Sequence, residues 1–152
     1  MTRRGREDLQ ARLLSTEKTL GDVPIAPLPN RCPGGIRLTV PPPDPWKPGS
    51  EARLQVEVRN TGSSPWPARG FVPRHLVSLR ACFDKRVQPR CRARPMRLPN
   101  DVPAGGRIIV PLATTAPPWP GDYALRISLY QAGHGPLEDC GVEPLIVPVR
   151  VW

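Results

Sequence analysis

The sequence predicts an all-β protein, an antiparallel β-sandwich of seven to eight strands preceded by a short N-terminal helix. Two observations carry this. From about residue 35 onward, apolar residues alternate with polar ones in run after run. Between the runs fall most of the 23 prolines, which is about three times the ordinary rate. A proline inside a helix costs about 3 kcal/mol, whereas between strands it simply ends a segment. No helical pattern separates the strands, which excludes a parallel α/β sheet. At 152 residues and 39% apolar content, the chain suffices for one domain and an appendage.

Residues 1–22 read as the helix. Leu9, Leu13, Thr16 and Leu20 form a narrow stripe along one face, and Gly21 followed by Val23-Pro24 stops it. Residues 23–34, with Pro24, Pro27, Pro29 and Pro33, read as a Pro-rich linker. The sandwich then spans 35–152. Ile36, Leu38 and Val40 mark its first strand, and Leu54, Val56 and Val58 the second and cleanest. Asn60-Thr61-Gly62 ends that strand with turn residues. A third strand runs from about Leu76 to Phe83, and residues 84–97 supply a hairpin loop with a short polar strand. Ile108, Val110 and Leu112 follow the turn at Pro103-Ala104-Gly105-Gly106. Tyr123, Leu125, Ile127 and Leu129 follow Pro120-Gly121, and Leu145, Val147, Val149 and Val151 close the chain. Pro111 and Pro148 fall inside two of these strands, which must therefore be edges or carry bulges. Six firm strands and one or two weak ones, with turn signals between them, fit an immunoglobulin-like sandwich.

Net charge is +9, and most of the 22 basic residues are arginine. Such a balance points either to an anionic partner or to a solvated arginine-rich surface. Lys85, Arg86, Arg90, Arg92, Arg94 and Arg97 form the densest basic segment. Arginine's planar fork gives bidentate bonds to phosphate, sulfate or carboxylate. Nucleic acid is disfavoured, because the segment lacks interleaved aromatics for stacking. The outward strand positions Arg53, Gln55, Glu57, Arg59, Arg80 and Arg126 make polar sheet faces. Trp66 and Trp119, flanked by prolines, are expected to cap the core. Trp46 stands evenly between a core cap and a platform for a sugar ring.

Nothing in the sequence asks for catalysis, a cofactor or a metal. No nucleophile elbow, P-loop or HExxH motif occurs. His134 near Glu138 or Asp139 could form an acid–base or metal pair, but a solvated polar loop is the better explanation of those residues. Cys32, Cys82, Cys91 and Cys140 form no CxxC pair. Cys82 and Cys91 could meet across a hairpin, yet free thiols are the default for a chain without an export signal. The N-terminal arginines precede no apolar stretch, so a cytoplasmic location is expected. No apolar run is long enough to span a membrane.

Three segments in order carry a resemblance. The first is Lys47-Pro48-Gly49, an alternating strand, Arg59-Asn60-Thr61-Gly62 and Ser64-Pro65-Trp66-Pro67. The second is Arg97-Leu98-Pro99 with Val102-Pro103-Ala104-Gly105. The third is Ala116-Pro117-Pro118 with Pro120-Gly121-Asp122-Tyr123-Ala124-Leu125. Together they resemble the immunoglobulin-like accessory domains of bacterial surface-polysaccharide proteins. These include domains beside glycosyltransferases and the glycan-binding domain of O-antigen transporters. The resemblance implies a non-catalytic accessory domain that binds or positions carbohydrate in polysaccharide biosynthesis or export. After the Tyr123 strand the chain departs from that pattern, with no exposed aromatic pair in Tyr130–Asp139. Two alternatives stand beside it: a protein–protein assembly module using the N-terminal helix, and a polyanion-binding domain using residues 85–97. The partner is thus expected to be a glycan, an acidic polymer or another protein. The candidate ligand-binding residues are Trp46, Arg86, Arg90, Arg92, Arg94 and Arg97.

Overall fold

The computed structural model describes residues 24–70, 74–84 and 95–152. The predicted N-terminal helix lies outside them. Eight strands follow in order: β1 (Gly34–Val40), β2 (Glu51–Asn60), β3 (Val77–Asp84), β4 (Met96–Arg97), β5 (Arg107–Thr115), β6 (Gly121–Gln131), β7 (Gly135–Pro136) and β8 (Leu145–Val151). One 3-10 turn, Leu137–Asp139, precedes β8. All strand pairs are antiparallel.

β1, β2 and β5 make one sheet in that order. The other runs β4-β3-β6, and β7 and β8 share the far edge of β6. First, second and fifth strands thus oppose third, sixth and last, the connectivity of an immunoglobulin-like sandwich. The Tyr123 hydroxyl adds a second mark of that fold. It donates to the Trp119 carbonyl at 2.8 Å and pins the corner where β6 begins.

The alternation read in the sequence sets the core. Leu54, Val56, Val58, Val110 and Leu112 face inward from the small sheet. Val77, Leu79, Leu125, Ile127 and Leu129 meet them from the large one. Each such buried side chain contributes about 1.5–3 kcal/mol. Both mid-strand prolines sit where a ladder can lack a donor. β5 is an edge paired only with β2, and β8 pairs in register only with β6. Asn60 and Ala116 both bond across the β2–β5 ends. The alternation between those bonds turns the Pro111 nitrogen toward the open edge.

Gly34, Trp66 and Asn60 form one tight corner. A Cβ at Gly34 would stand 2.4 Å from the Arg59 carbonyl and 2.6 Å from the Trp66 ring. Trp66 is fully buried, as expected of a cap, and its backbone exchanges bonds of 2.9 and 3.0 Å with Val102. Asn60, also buried, donates to the Ser64 and Val102 carbonyls at 2.9 and 3.2 Å and accepts from Gly62.

Residues 24–33 form no strand but are fastened to the sandwich. The buried Gln131 side chain accepts from the Leu28 N–H at 3.0 Å and donates to the Ala26 carbonyl at 2.8 Å. Beyond it, Cys32 is disulfide-bonded to Cys140. This corrects the expectation of free thiols. The two cysteines lie 108 residues apart in sequence, and only the fold brings them together. Among the described residues no cysteine is free.

Two outcomes follow. Closing a loop of about 100 residues is worth about 3–5 kcal/mol, so Cys140→Ser should lower the unfolding free energy by that order. Urea denaturation with and without reductant measures it, and the variant should be indifferent to reductant at this bond. Gly34→Ala should cost about 1–3 kcal/mol, since the nearest obstacle is backbone that cannot rotate away. Its urea midpoint against the parent chain reads that directly.

Candidate anion-binding face

The outer face of the small sheet collects charge because its strands alternate so regularly. Arg37 on β1 lies opposite Glu57 on β2, and Arg59 on β2 lies opposite Arg107 on β5. Three guanidinium groups therefore converge on one carboxylate. Arg37 reaches Glu57 Oε1 at 3.3 Å, Arg59 reaches the same oxygen at 3.5 Å, and Arg107 reaches Oε2 at 3.5 Å. Glu57 is buried beneath them, while the arginines extend into solvent. Arg53 extends the face two positions along β2, and Glu51 closes it. Four arginines thus stand against two glutamates. On β5 the outward positions that follow Arg107 are the exposed Ile109 and Pro111, and no aromatic residue occupies these positions.

The outer face of the large sheet is different. There Arg80 lies over the Tyr130 ring, 3.9 Å from its centre. Arg126 holds Glu138 at 2.7 Å. That pair also removes Glu138 as a partner for His134.

The residues expected from sequence fall apart. Trp46 is fully buried, its indole N–H donating to the Ser50 carbonyl at 3.1 Å and its ring packed edge-on to Phe83 at 5.4 Å. It offers no face to a sugar, so the platform reading of Trp46 is corrected. Trp119 reverses the other way: the expected cap is 71% exposed. Its carbonyl is taken by Tyr123, and that corner leaves the ring in solvent. Arg97 is exposed and donates to the Gly70 carbonyl at 2.8 Å. Arg86, Arg90, Arg92 and Arg94 lie outside the described residues.

Sequence reasoning missed Arg37 and Arg107. Arg37 carried a signal, since it alternates between Ile36 and Leu38. Arg107 carried none, because it precedes its apolar run. Trp152 was missed as well and is 61% exposed. Gly121 pairs with Val151, so Trp119 and Trp152 share one end of the large sheet. Beside them Arg150 and Asp44, 3.5 Å apart, border a recess of about 520 Å³ between β1 and β8.

No family model matches the chain, and no curated protein matches it. Among solved structures it is similar to the CARDB domain of PF1109 from Pyrococcus furiosus, with 13% identity over 78% of this chain and 95% of that one and a TM-score of 0.47. It is also similar to the ASH/PapD-like domain 7 of human CEP192, with 17% identity over 90% of this chain and 94% of that one and a TM-score of 0.38.

Proposed function

We propose that this chain is a non-catalytic binding module that takes an acidic polysaccharide on the outer face of the β1-β2-β5 sheet. The observation that carries the reading is the convergence of Arg37, Arg59 and Arg107 on the single carboxylate of Glu57. One carboxylate cannot neutralise three guanidinium groups, and each group keeps donors turned to solvent. A rigid sheet brings the three arginines together around Glu57, so their guanidinium groups are already gathered before a ligand arrives. Carboxylate and sulfate groups along a polymer match the guanidinium fork. The lack of aromatics on this face disfavours base stacking, and hence nucleic acid.

The surface-polysaccharide resemblance supports the same class of partner. The Cys32–Cys140 bond supports a setting for it. Disulfides persist in oxidising compartments, so we place the module there rather than in the cytoplasm expected from the N-terminal sequence.

A second reading rests on its own observation. Trp119 and Trp152 are large, exposed and at one end of the sandwich. A neutral glycan could stack there, its CH faces on the indoles, with Arg150 and Asp44 to bond hydroxyls.

One panel separates the two readings. The purified chain is titrated with neutral dextran and with polyuronate and sulfated glycans, at low and physiological salt. The arginine reading expects acidic polymers only, with affinity falling steeply as salt rises. Arg37→Gln, Arg59→Gln and Arg107→Gln should each reduce the salt slope by about one. Unchanged slopes in all three would sink it. Salt-resistant dextran binding lost in Trp119→Ala would establish the second reading instead.

A further inference from the structure

The chain contains two histidines, and they meet. His75 lies just before β3, and His134 sits in the turn between β6 and β7. Nδ1 of His75 faces Nε2 of His134 at 2.5 Å. The ring centres are 4.6 Å apart and the planes differ by 19°. Nearly parallel rings whose nearest nitrogens are closer than their centres meet end to end, not face over face. Each of these two nitrogens carries either a proton or a lone pair in its ring plane, directed into the same gap. Two bare nitrogens repel and two N–H groups collide, so one N–H faces one lone pair, and a cation that takes the place of that proton would be held by both nitrogens.

The backbone holds this arrangement at some expense. His75 has φ of 69°, the left-handed region that a β-carbon disfavours. Its N–H donates to the Ala132 carbonyl at 3.0 Å, and its own carbonyl accepts from the buried Gln131 side chain at 2.8 Å. The His134 N–H in turn donates to the Gln131 carbonyl at 3.0 Å. Both histidines therefore hang on the end of β6. Desolvation by its surroundings, then the His134 ring, then Arg74 hold the His75 imidazole below its ordinary pKa.

We propose that His75 and His134 form a two-histidine site for a borderline divalent transition ion such as Zn²⁺ or Ni²⁺, with water in the remaining positions. Imidazole suits these ions. A metal–nitrogen distance of about 2.0–2.1 Å requires the two nitrogens to stand about 3–4 Å apart. The gap must open by about 1 Å, and the turn can supply it. Gly133 and Gly135 flank His134 with φ of 83° and 118°, and nothing packs within 4 Å of a Cβ at Gly135. Hard ions such as Mg²⁺ find no such match. Among the described residues, no three His, Cys, Asp or Glu side chains come together.

The test is calorimetric titration of the full, untagged chain with ZnCl₂ and NiCl₂, and with MgCl₂ as control. Proton NMR of the two imidazoles runs in parallel. The expected result is one transition ion per chain, both imidazole signals shifted, no response to Mg²⁺ and full reversal by chelator. His134→Ala should abolish binding. His75→Gly, which removes the ligand and suits the left-handed backbone, should do the same while the urea midpoint stays at or above that of the parent. Absence of binding to the parent chain overturns the proposal. So does binding that survives in the double variant, or that leaves either imidazole signal unmoved.

Discussion

The strand β6 is the constraint on which the rest of this sandwich depends. It pairs with β3 along one edge and with β8 and then β7 along the other. Its inward side chains, Tyr123, Leu125, Ile127, Leu129 and Gln131, run the full length of the core. Both ends are tied by polar groups. At the start, the Tyr123 hydroxyl closes the corner on Trp119. At the end, Gln131 places a buried amide among three backbone groups, donating twice and accepting once. A buried amide without partners would cost more than the bonds return, so this residue fixes one arrangement rather than adding much net stability. The segment before β1, the backbone of His75 and the turn bearing His134 are all placed by that one side chain and its neighbours.

Glu57 plays the corresponding part on the small sheet. Burying a carboxylate is expensive unless cations and hydrogen bonds surround it. Here the cations come from three different strands, so the ion cluster exists only when the β1-β2-β5 register is correct. A one-residue slip of β5 would turn Arg107 inward and Val110 outward together. The cluster and the apolar core therefore enforce the same register. The edge arginines also discourage pairing of the open β5 edge with another chain.

The fold was legible in the sequence wherever period two applied. The strands from Ile36, Leu54, Leu76, Ile108, Tyr123 and Leu145 are all present, and Pro111 and Pro148 mark edges as they should. The short β7 was not legible, because two residues at a glycine turn carry no period. The tryptophans were not legible either. Trp66 and Trp119 share the same Pro-Trp-Pro surroundings, yet one is buried and the other exposed. Which end of the sandwich a loop folds over decides that, and loop sequence does not encode it locally. The Cys32–Cys140 bond and the His75–His134 contact join residues far apart in the chain, where spacing says nothing. For the arginine face, outward parity gave Arg53, Glu57 and Arg59. Only the register between strands brings Arg37 and Arg107 to the same carboxylate.

Net charge alone would not have located that face, because arginine serves two ends in this molecule. On the large sheet it is committed. Arg126 is 22% exposed and holds Glu138 at 2.7 Å, and Arg80 is spread on the Tyr130 ring. Such a guanidinium has its donors or its flat face already in use, and an incoming anion would have to displace a close partner. On the small sheet the side chains of Arg37, Arg59 and Arg107 are 68%, 50% and 64% exposed, and they approach Glu57 no closer than 3.3 Å. Long, exposed contacts of this kind contribute little to stability. They also leave most of each guanidinium's five donors unspent. The weakness of the cluster as a structural bond is therefore what leaves it available as a binding surface.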